Sequence, residues 1–202
     1  MAEPALPAGV RVHPLGLCES DDVGAGTRVW AWAHVMPGAS IGQDCNICDH
    51  AYVEGGARLG DRVTVKNAVL VFDGVHVGDD VFLGPNVLFT NDLRPRAHVK
   101  KGSEGLLETT VEDGVTLGAG TVVVCGTTIG RHAFAAAGSV ITRDVAPHSF
   151  VAGNPARHRG WVCTCGERLV DELACSGCGR AFTDAGDGLV ERALLLVPVG
   201  DR

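Results

Sequence analysis

The sequence is poor in aromatic residues, and it lacks both a basic patch and a long apolar run. Phe, Trp and Tyr together make up 5% of its 202 residues. Acidic residues outnumber Lys and Arg by 24 to 17, which argues against a nucleic-acid-binding protein. Residues 1–17 lack the apolar core of a signal peptide, and the apolar stretch 193–199 is too short to span a bilayer. We therefore expect a cytoplasmic protein without nucleic-acid or membrane partners.

Glycine, small aliphatic residues and cysteine are abundant instead. Hydrophobic residues make up 46% of the chain and 28 residues are glycine, which suggests a core of small side chains with many tight turns. At this length we expect one substantial domain, residues 1–160, and a small C-terminal segment, residues 161–202. Four of the eight cysteines lie at metal-ligand spacing in that segment, which favours a reduced compartment over a disulfide framework.

A six-residue repeat runs through most of the first segment. Twelve hexads run from Val23 to Phe89 and six more from Val111 to Ile141, and Val, Leu or Ile leads 16 of these 18 hexads. Four places after the leader lies a small or β-branched residue, such as Ala33 or Val63, except for Leu93 at the edge of the interruption. Because this residue and the next leader are two apart on a strand, they share one face. The pattern predicts short strands with a common buried face.

The repeat also predicts the architecture. Three hexads close a triangular coil of 18 residues, and 18 hexads stack into about six coils of an all-β, parallel β-helix. A helical period of 3.6 residues is absent. Glycine follows the leader at corners that we expect to need an unusual backbone conformation; these are Gly24, Gly42, Gly60, Gly78, Gly84, Gly118 and Gly130.

This repeat resembles that of the hexapeptide-repeat acyltransferases. The resemblance implies that the β-helix is left-handed. It also implies a homotrimer whose active sites lie between neighbouring copies. A hexapeptide repeat by itself indicates the fold and favours a transferase, but it does not identify the acceptor.

One interruption of the repeat marks the expected active site. Residues 93–110 break the period with a basic segment that contains Arg94, Arg96 and His98. A loop that leaves a regular solenoid loses conformational entropy without adding to the core, and such loops usually carry function. We therefore expect residues 93–110 to form an extruded active-site loop.

The residues around this loop narrow the resemblance. The run GPNVLFTNDLRPR (residues 84–96) and the run VAGNPARHRGWVCTCGERL (residues 151–169) are similar to bacterial enzymes that N-acetylate UDP- or dTDP-linked 3-amino sugars. UDP-2-acetamido-3-amino-2,3-dideoxy-glucuronate N-acetyltransferases match best overall, but relatives acting on dTDP-3-amino-6-deoxyhexoses are more similar at Asp92. The resemblance implies acetyl-CoA as co-substrate and a role in cell-surface polysaccharide or deoxysugar biosynthesis.

In that family the Asn of the Phe-Thr-Asn run lies beside the sugar amine, which implies a catalytic role for Asn91. An amide oxygen can accept a hydrogen bond from the amine and orient its lone pair. Asp92 or His98 is a candidate general base, and the departing thiolate is an alternative proton acceptor. Each residue also has a structural interpretation: Asn91 as a corner residue, Asp92 as a loop anchor and His98 as an exposed loop residue. Substrate contacts are predicted at Glu54, Asn67, Arg94 and Arg96.

The second block of repeats is expected to hold the coenzyme. Gly118, Gly120, Ala136 and Gly138 have minimal side chains, so a thin ligand can approach their backbone closely. By resemblance, the run that contains Asn154 lies near the adenosine end of the coenzyme. Arg157 and Arg159 are predicted phosphate ligands because guanidinium groups match phosphate oxygens. The alternative is that the small residues only form tight corners.

The C-terminal segment contains Cys163, Cys165, Cys175 and Cys178 as a CxC and a CxxC pair. This pattern resembles a small zinc ribbon, in which four thiolates hold structural zinc and leave no position for water. Two disulfides or an unmetallated tail are the alternatives. A segment of about 40 residues rarely builds a core without such a crosslink.

Two other functions are compatible with the repeat. One is O-acetylation of a sugar or another small hydroxyl acceptor, which usually requires a His near the acceptor, and none lies firmly in the Asn91 segment. The other is a non-catalytic β-helix scaffold subunit. Incubation with acetyl-CoA and an amino-sugar nucleotide discriminates these possibilities.

Overall fold

The computed structural model describes residues 9–99, 101–170 and 173–192, and within them it is a parallel β-helix as predicted. The apolar stretch 193–199 lies outside the described residues. Apart from one 3-10 turn at Ser103–Gly105, the regular elements are short strands. In chain order these are β1 (Arg11–Val12), β2 (Leu17–Cys18), β3 (Arg28–Val29), β4 (His34–Val35), β5 (Ser40–Ile41), β6 (Asn46–Ile47), β7 (Tyr52–Val53), β8 (Arg58–Leu59), β9 (Thr64–Val65), β10 (Leu70–Val71), β11 (Val75–Val77), β12 (Phe82–Leu83), β13 (Leu88–Phe89), β14 (Thr109–Val111), β15 (Thr116–Leu117), β16 (Val122–Val123), β17 (Thr128–Ile129), β18 (Phe134–Ala135), β19 (Val140–Ile141), β20 (Ser149–Ala152), β21 (Arg157–Val162), β22 (Arg168–Leu169), β23 (Phe182–Asp184) and β24 (Leu189–Glu191).

The strands stack into three faces of a triangular prism. Face A contains β1, β3, β6, β9, β12, β15, β18 and β20 in parallel. Face B contains β2, β4, β7, β10, β13, β16 and β19, and face C contains β5, β8, β11, β14 and β17. We number the coils 1 to 8 by their face A strands. Edge AB is the set of corners between faces A and B, and edge BC is the set between faces B and C.

The core lies inside the prism and consists of the two predicted inward columns. Leaders such as Val35, Val53 and Leu83 are fully buried, and so are the small residues Ala39 and Cys45. Residues 18 apart lie side by side, as in the pairing of Arg28 with Asn46. Among the described residues, no helix is long and apolar enough to cross a membrane. The left-handedness of the coil stays a prediction from the family resemblance.

The prism has eight parallel strands on face A, so it is longer than the six coils predicted. The six-residue count missed most of coil 1 because the register shifts by one residue there. Cys18 is buried, and the next inward leader, Val23, follows after five residues instead of six. The count also missed coil 8, because Val145 follows Ile141 after only four residues. Val151 then continues the inward column six residues later. Small register slips at both ends hide a coil from a strict six-residue count.

The extruded loop leaves the prism after Phe89 and returns at Thr109, two residues earlier than Val111. Thr109 pairs with Val75 and is completely buried. Its N–H donates to the carbonyl of Gly74 at 2.9 Å, which fixes the return of the chain to face C. Leu93, at the start of the predicted interruption, is 54% exposed.

The glycines that follow the leaders were predicted to adopt an unusual backbone conformation, and this explanation was wrong. The corner residues with positive φ lie two positions later, for example Gly26 and Asp44, where φ is 79° and 54°. Gly42 and its equivalents are required instead because adjacent coils approach closely. A Cβ atom added to Gly42 would lie 2.5 Å from the carbonyl carbon of Gly60 in the next coil.

The chain reverses beyond coil 8 into an antiparallel extension. Strand β21 pairs antiparallel with β20 and then with β22, so the predicted boundary at residue 160 falls inside this strand. A second small core contains Cys163, Leu169, Cys175, Phe182 and Leu189. The buried ring of His148 lies 4.9 Å from Phe182 and thereby joins the prism to this core.

We expect Gly42→Ala to destabilise the protein by about 1–3 kcal/mol, since the added methyl group overpacks the contact between two coils. Denaturant unfolding measures this loss. Ser40→Ala is the matched control, because Ser40 lies on the outer side of face C in the same coil and its change adds no atoms. Equal stability of the Gly42 and Ser40 variants would show that neighbouring coils can separate at no cost.

Candidate functional site

Asn91 lies at edge BC of coil 5, where the extruded loop begins. Its side-chain amide donates from Nδ2 to the carbonyl of Asp73 at 3.3 Å. The N–H of Asp73 in turn donates to Oε2 of Glu54 at 2.9 Å. Glu54, Asp73 and Asn91 therefore form a polar column along three successive coils, and the amide oxygen of Asn91 has no partner in this column.

Asp73 was not predicted as a site residue, although the sequence carries a signal for it. Asp73 and Asn91 are 18 residues apart, so they occupy the same corner position in adjacent coils. His76 was predicted to be a surface or interface residue. It lies three residues beyond Asp73, with Nε2 3.7 Å from Oε1 of Glu108 at the foot of the loop.

Asp92 anchors the loop. Its Oδ1 accepts hydrogen bonds from Nζ of Lys101 at 2.5 Å and from the N–H of Arg94 at 2.8 Å. The Lys101 side chain also donates to the carbonyl of Arg94 at 2.9 Å. The hydrogen bond from Lys101, followed by that from the Arg94 N–H, holds the pKa of Asp92 below its ordinary value. A carboxylate held in this way is a weak proton acceptor.

The other predicted loop residues face solvent. Arg94, Arg96 and His98 are exposed, and the Arg96 guanidinium donates to the neighbouring carbonyl of Pro95 at 3.2 Å. The structure therefore places Asn91 and Asp92 together at the base of the loop. Arg94, Arg96 and His98 lie farther along the loop.

The predicted coenzyme residues lie on a different edge from Asn91. Edge AB contains Gly118 and Gly120 in coil 6, Ala136 and Gly138 in coil 7, and Asn154 after coil 8. Gly120 and Gly138 have φ of 67° and 70°, with open space where a side chain would project. Asn67, predicted to contact the substrate, also lies on edge AB, in coil 4. Face B separates this edge from Asn91, so a single chain does not bring the two sets together.

Arg157 lines a cavity at the C-terminal end of the prism. The cavity has a volume of about 400 Å³, an apolar floor that includes Val145 and Val151, and an aromatic wall at Trp161. Arg143 is a second guanidinium at the same cavity. Arg159 does not line it; it is exposed, and its carbonyl accepts a hydrogen bond from Arg168. The cavity begins at residues 142–144 on edge BC of coil 7, two coils beyond Asn91, and extends to strand β20 of coil 8.

The four C-terminal cysteines form one cluster. Their Sγ atoms all lie within 4.8 Å of one another, and two of the pairs, Cys163 with Cys178 and Cys165 with Cys175, are 3.5 Å apart. A tetrahedral zinc ion with Zn–S bonds of about 2.3 Å places its sulfur ligands about 3.8 Å apart. The Arg180 N–H and then its guanidinium lower the pKa of Cys178 to about 6, which favours the thiolate there, whereas burial raises the pKa of Cys163. The donor set and its spacing therefore fit zinc.

Comparisons with known proteins agree with this architecture. The family model for the hexapeptide repeat of succinyl-transferase matches residues 38–73 and 108–143, on either side of the extruded loop. The dTDP-3-amino-3,6-dideoxy-alpha-D-galactopyranose 3-N-acetyltransferase of Aneurinibacillus thermoaerophilus is 45% identical over 186 residues, which cover 91% of this chain and 95% of that enzyme.

Two solved structures match parts of this chain. A mutant of AntD, an N-acyltransferase from Bacillus cereus in complex with dTDP and coenzyme A, matches with a TM-score of 0.51 at 13% identity, over 77% of this chain and 83% of that one. PerB from Caulobacter crescentus, in complex with CoA and GDP-perosamine, matches with a TM-score of 0.48 at 21% identity, over 78% and 57%. The likeness to AntD supports the β-helix fold.

Proposed function

The chain belongs to the hexapeptide-repeat acetyltransferases, and on that basis we propose that it transfers the acetyl group of acetyl-CoA to the amino group of a nucleotide-linked 3-amino sugar. The 45% identity to a dTDP-3-amino-3,6-dideoxygalactose N-acetyltransferase over nearly its whole length supports this acceptor class. It favours a dTDP-linked over a UDP-linked sugar. The single observation that carries the proposal within the fold is the polar column that ends at Asn91, where the loop leaves the prism.

Asn91 would orient the acceptor amine. Its Nδ2 is engaged by the Asp73 carbonyl, so its Oδ1 is directed away from that bond and can accept an N–H of the amine. The nitrogen lone pair then points toward the thioester carbonyl. Attack forms the N–C bond of a tetrahedral intermediate, and collapse of the intermediate breaks the C–S bond. Orientation of this kind accounts for a large part of the barrier reduction in such reactions.

The proton of the amine goes to the departing thiolate in this proposal. Asp92 is an unsuitable base because its hydrogen bond with Lys101 lowers its pKa, and His98 is an exposed residue of the loop. A thiolate is formed in the same step and is basic enough to take the proton. We therefore assign Asp92 and Lys101 to holding the loop, which carries Arg94 and Arg96 toward the anionic substrate.

The coenzyme would lie along edge AB. Gly120 and Gly138 have open space beside their backbone, which a thin pantetheine chain could occupy. Gly118 and Ala136 belong to the same corners and add no bulky side chain, although Gly118 itself is packed against the next coil. Asn154 and Arg157 follow at the C-terminal end, where guanidinium groups can pair with the coenzyme phosphates. Arg159, farther along strand β21, is the outermost phosphate ligand in this arrangement.

The active site would be shared between copies in a homotrimer. Face B separates Asn91 from edge AB, so a second copy is needed to bring donor and acceptor together. From coil 4 to coil 7 the outer side of face B also carries an apolar stripe of Leu70, Leu88, Val122 and Val140, whereas that of face C is polar. His34 and Tyr52 occupy this side in coils 2 and 3. An apolar face of this kind is suited to burial between copies.

Asn91→Ala should lower kcat/KM roughly 100-fold, because a loss of orientation of about 1 Å has an effect of that size. The assay follows acetylation of a dTDP-3-amino-3,6-dideoxyhexose by mass spectrometry, as a gain of about 42 Da per product. Thermal unfolding of the variant should stay close to that of the wild type, since Asn91 is outside the core.

Asp92→Asn, at the neighbouring residue, is the matched control for Asn91→Ala. It should keep kcat within a few-fold and raise the protease sensitivity of residues 93–108, because it removes the anchor of the loop. A large loss of kcat in Asp92→Asn with little change in Asn91→Ala would reverse the two roles. Acetylation of a hydroxyl acceptor alone, or no product at all, would contradict the N-acetyltransferase.

The cysteine cluster would hold one structural zinc ion. Cys163 follows Val162, whose N–H and C=O are both hydrogen-bonded to His148, at 2.8 and 3.0 Å. The metal would therefore stabilise strand β21, which contains Arg157 and Arg159. With four protein ligands it leaves no open coordination position and takes no part in the transfer.

We expect about one zinc ion per chain by elemental analysis, as for a four-thiolate site. Cys175→Ser should lose the zinc and lower the melting temperature by roughly 5 °C or more. Cys48→Ser is the control, since Cys48 is a buried cysteine that follows strand β6 of the prism, away from the cluster. Full stability without zinc, or disulfide-linked cysteines in the native protein, would exclude the metal site.

A further inference from the structure

Edge AB carries a stack of flat side chains at its N-terminal half. One corner position of this edge is occupied, from coil 2 to coil 5, by Trp32, His50, Ala68 and Asn86, all with positive φ. The rings of Trp32 and His50 are parallel within 10°, with centroids 5.0 Å apart. This spacing matches the distance of about 4.8 Å between coils. Trp32 is 59% exposed, although an indole is an expensive side chain to leave in water.

The stack is interrupted at Ala68. Trp32 covers one face of the His50 ring, and the opposite face is directed along the edge toward the next coil. There Ala68 offers only a methyl group, and Asn86 follows about 9.6 Å from the level of His50. A planar ring at the level of Ala68 would lie about 4.8 Å from the level of His50, within the range of stacked aromatic groups. The spacing of the corner residues therefore matches one flat heterocycle placed in a slot at the level of Ala68.

A donor and an acceptor lie at the side of this slot. Nδ2 of Asn67 donates a hydrogen bond to Oδ2 of Asp49 at 3.2 Å, which leaves the second N–H of the amide and Oδ1 of the carboxylate for a ligand. Asn67 is exposed and Asp49 is half-buried. A carboxylate accepts and an amide N–H donates, which complements the imide edge of uracil or thymine, where one N–H lies between two carbonyl groups. Adenine and cytosine lack an imide N–H, so they do not match this pair equally well.

The order of features along the prism agrees with a nucleotide sugar bound end to end with the coenzyme. The flat stack and the Asn67–Asp49 pair belong to coils 2 to 4. Asn91 lies at the level of coil 5, and the smooth part of edge AB follows in coils 6 to 8. Base, sugar amine and acetyl donor would therefore follow each other in the order that the transfer requires.

We propose that the slot between His50 and Asn86 binds the pyrimidine base of the nucleotide sugar, with His50 and Trp32 stacked below it and Asp49 and Asn67 reading its imide edge. This inference rests on the proposed function for the identity of the whole substrate. It assigns the base to edge AB, opposite the edge that carries Asn91.

The test uses dTDP and UDP as probes on the full chain, with binding measured by calorimetry. His50→Ala should weaken binding of both nucleotides roughly 10- to 100-fold, the effect of removing an aromatic partner from a stacked base. His50→Phe keeps a flat ring and should bind within about threefold of the wild type. Ala68→His should fill the slot and prevent binding, and it should fold, because His50, His132 and His148 already adopt this corner conformation.

Arg62→His is the matched control, as it places the same side chain at a positive-φ corner between faces C and A. In the acetylation assay, His50→Ala should raise KM for the nucleotide sugar by the same factor and leave KM for acetyl-CoA unchanged. Wild-type-like dTDP binding by His50→Ala and Ala68→His would overturn the slot, and so would absence of dTDP and UDP binding by the wild type. If dTDP binds in the slot but no amino-sugar nucleotide is acetylated, the result contradicts the proposed reaction and supports the base site.

Discussion

The structure depends on the hydrogen bonding of each coil to the next. The N–H of Arg28 donates to the carbonyl of Cys45, and the N–H of Asn46 donates to that of Val63, each at 2.9 Å, and the pattern continues along the prism. Because every coil must match its neighbour, residues 18 apart form columns. Inward columns become the core, and corner columns place side chains in line with a spacing of about 4.8 Å.

The six-residue period was sufficient to predict the parallel β-helix, its buried columns and the extruded loop, since each follows from one repeated backbone geometry. It was insufficient at the ends of the prism, where Cys18 and Val145 are out of register with their neighbours. It also gave the wrong reason for Gly42, which is required because Gly60 of the next coil approaches closely and not because of its own backbone conformation. Such a contact is a property of two coils, and one hexad does not contain it.

The candidate site could be predicted only in part, for a related reason. The break in the period indicated Asn91 and Asp92, but the sequence could not show that Lys101 would reach back to Asp92. Nor did the hexad count show that Asn91 and Gly138 lie on opposite edges of face B. The edge of a corner depends on its position within the 18-residue coil, and this position is hidden in a six-residue pattern.

Because face B separates edge AB from edge BC, the proposed active site requires residues from two copies of the chain. Two inactive variants test it: Asn91→Ala, which lacks the acceptor residue, and Gly138→Trp, which blocks the coenzyme edge at a corner where Trp32 shows that an indole is tolerated. If each site combines edge BC of one copy with edge AB of another, random mixed trimers at equal ratio should recover about one quarter of the wild-type activity. Mixed trimers without activity above that of either variant alone would contradict the shared site and show that a single chain contains the whole centre.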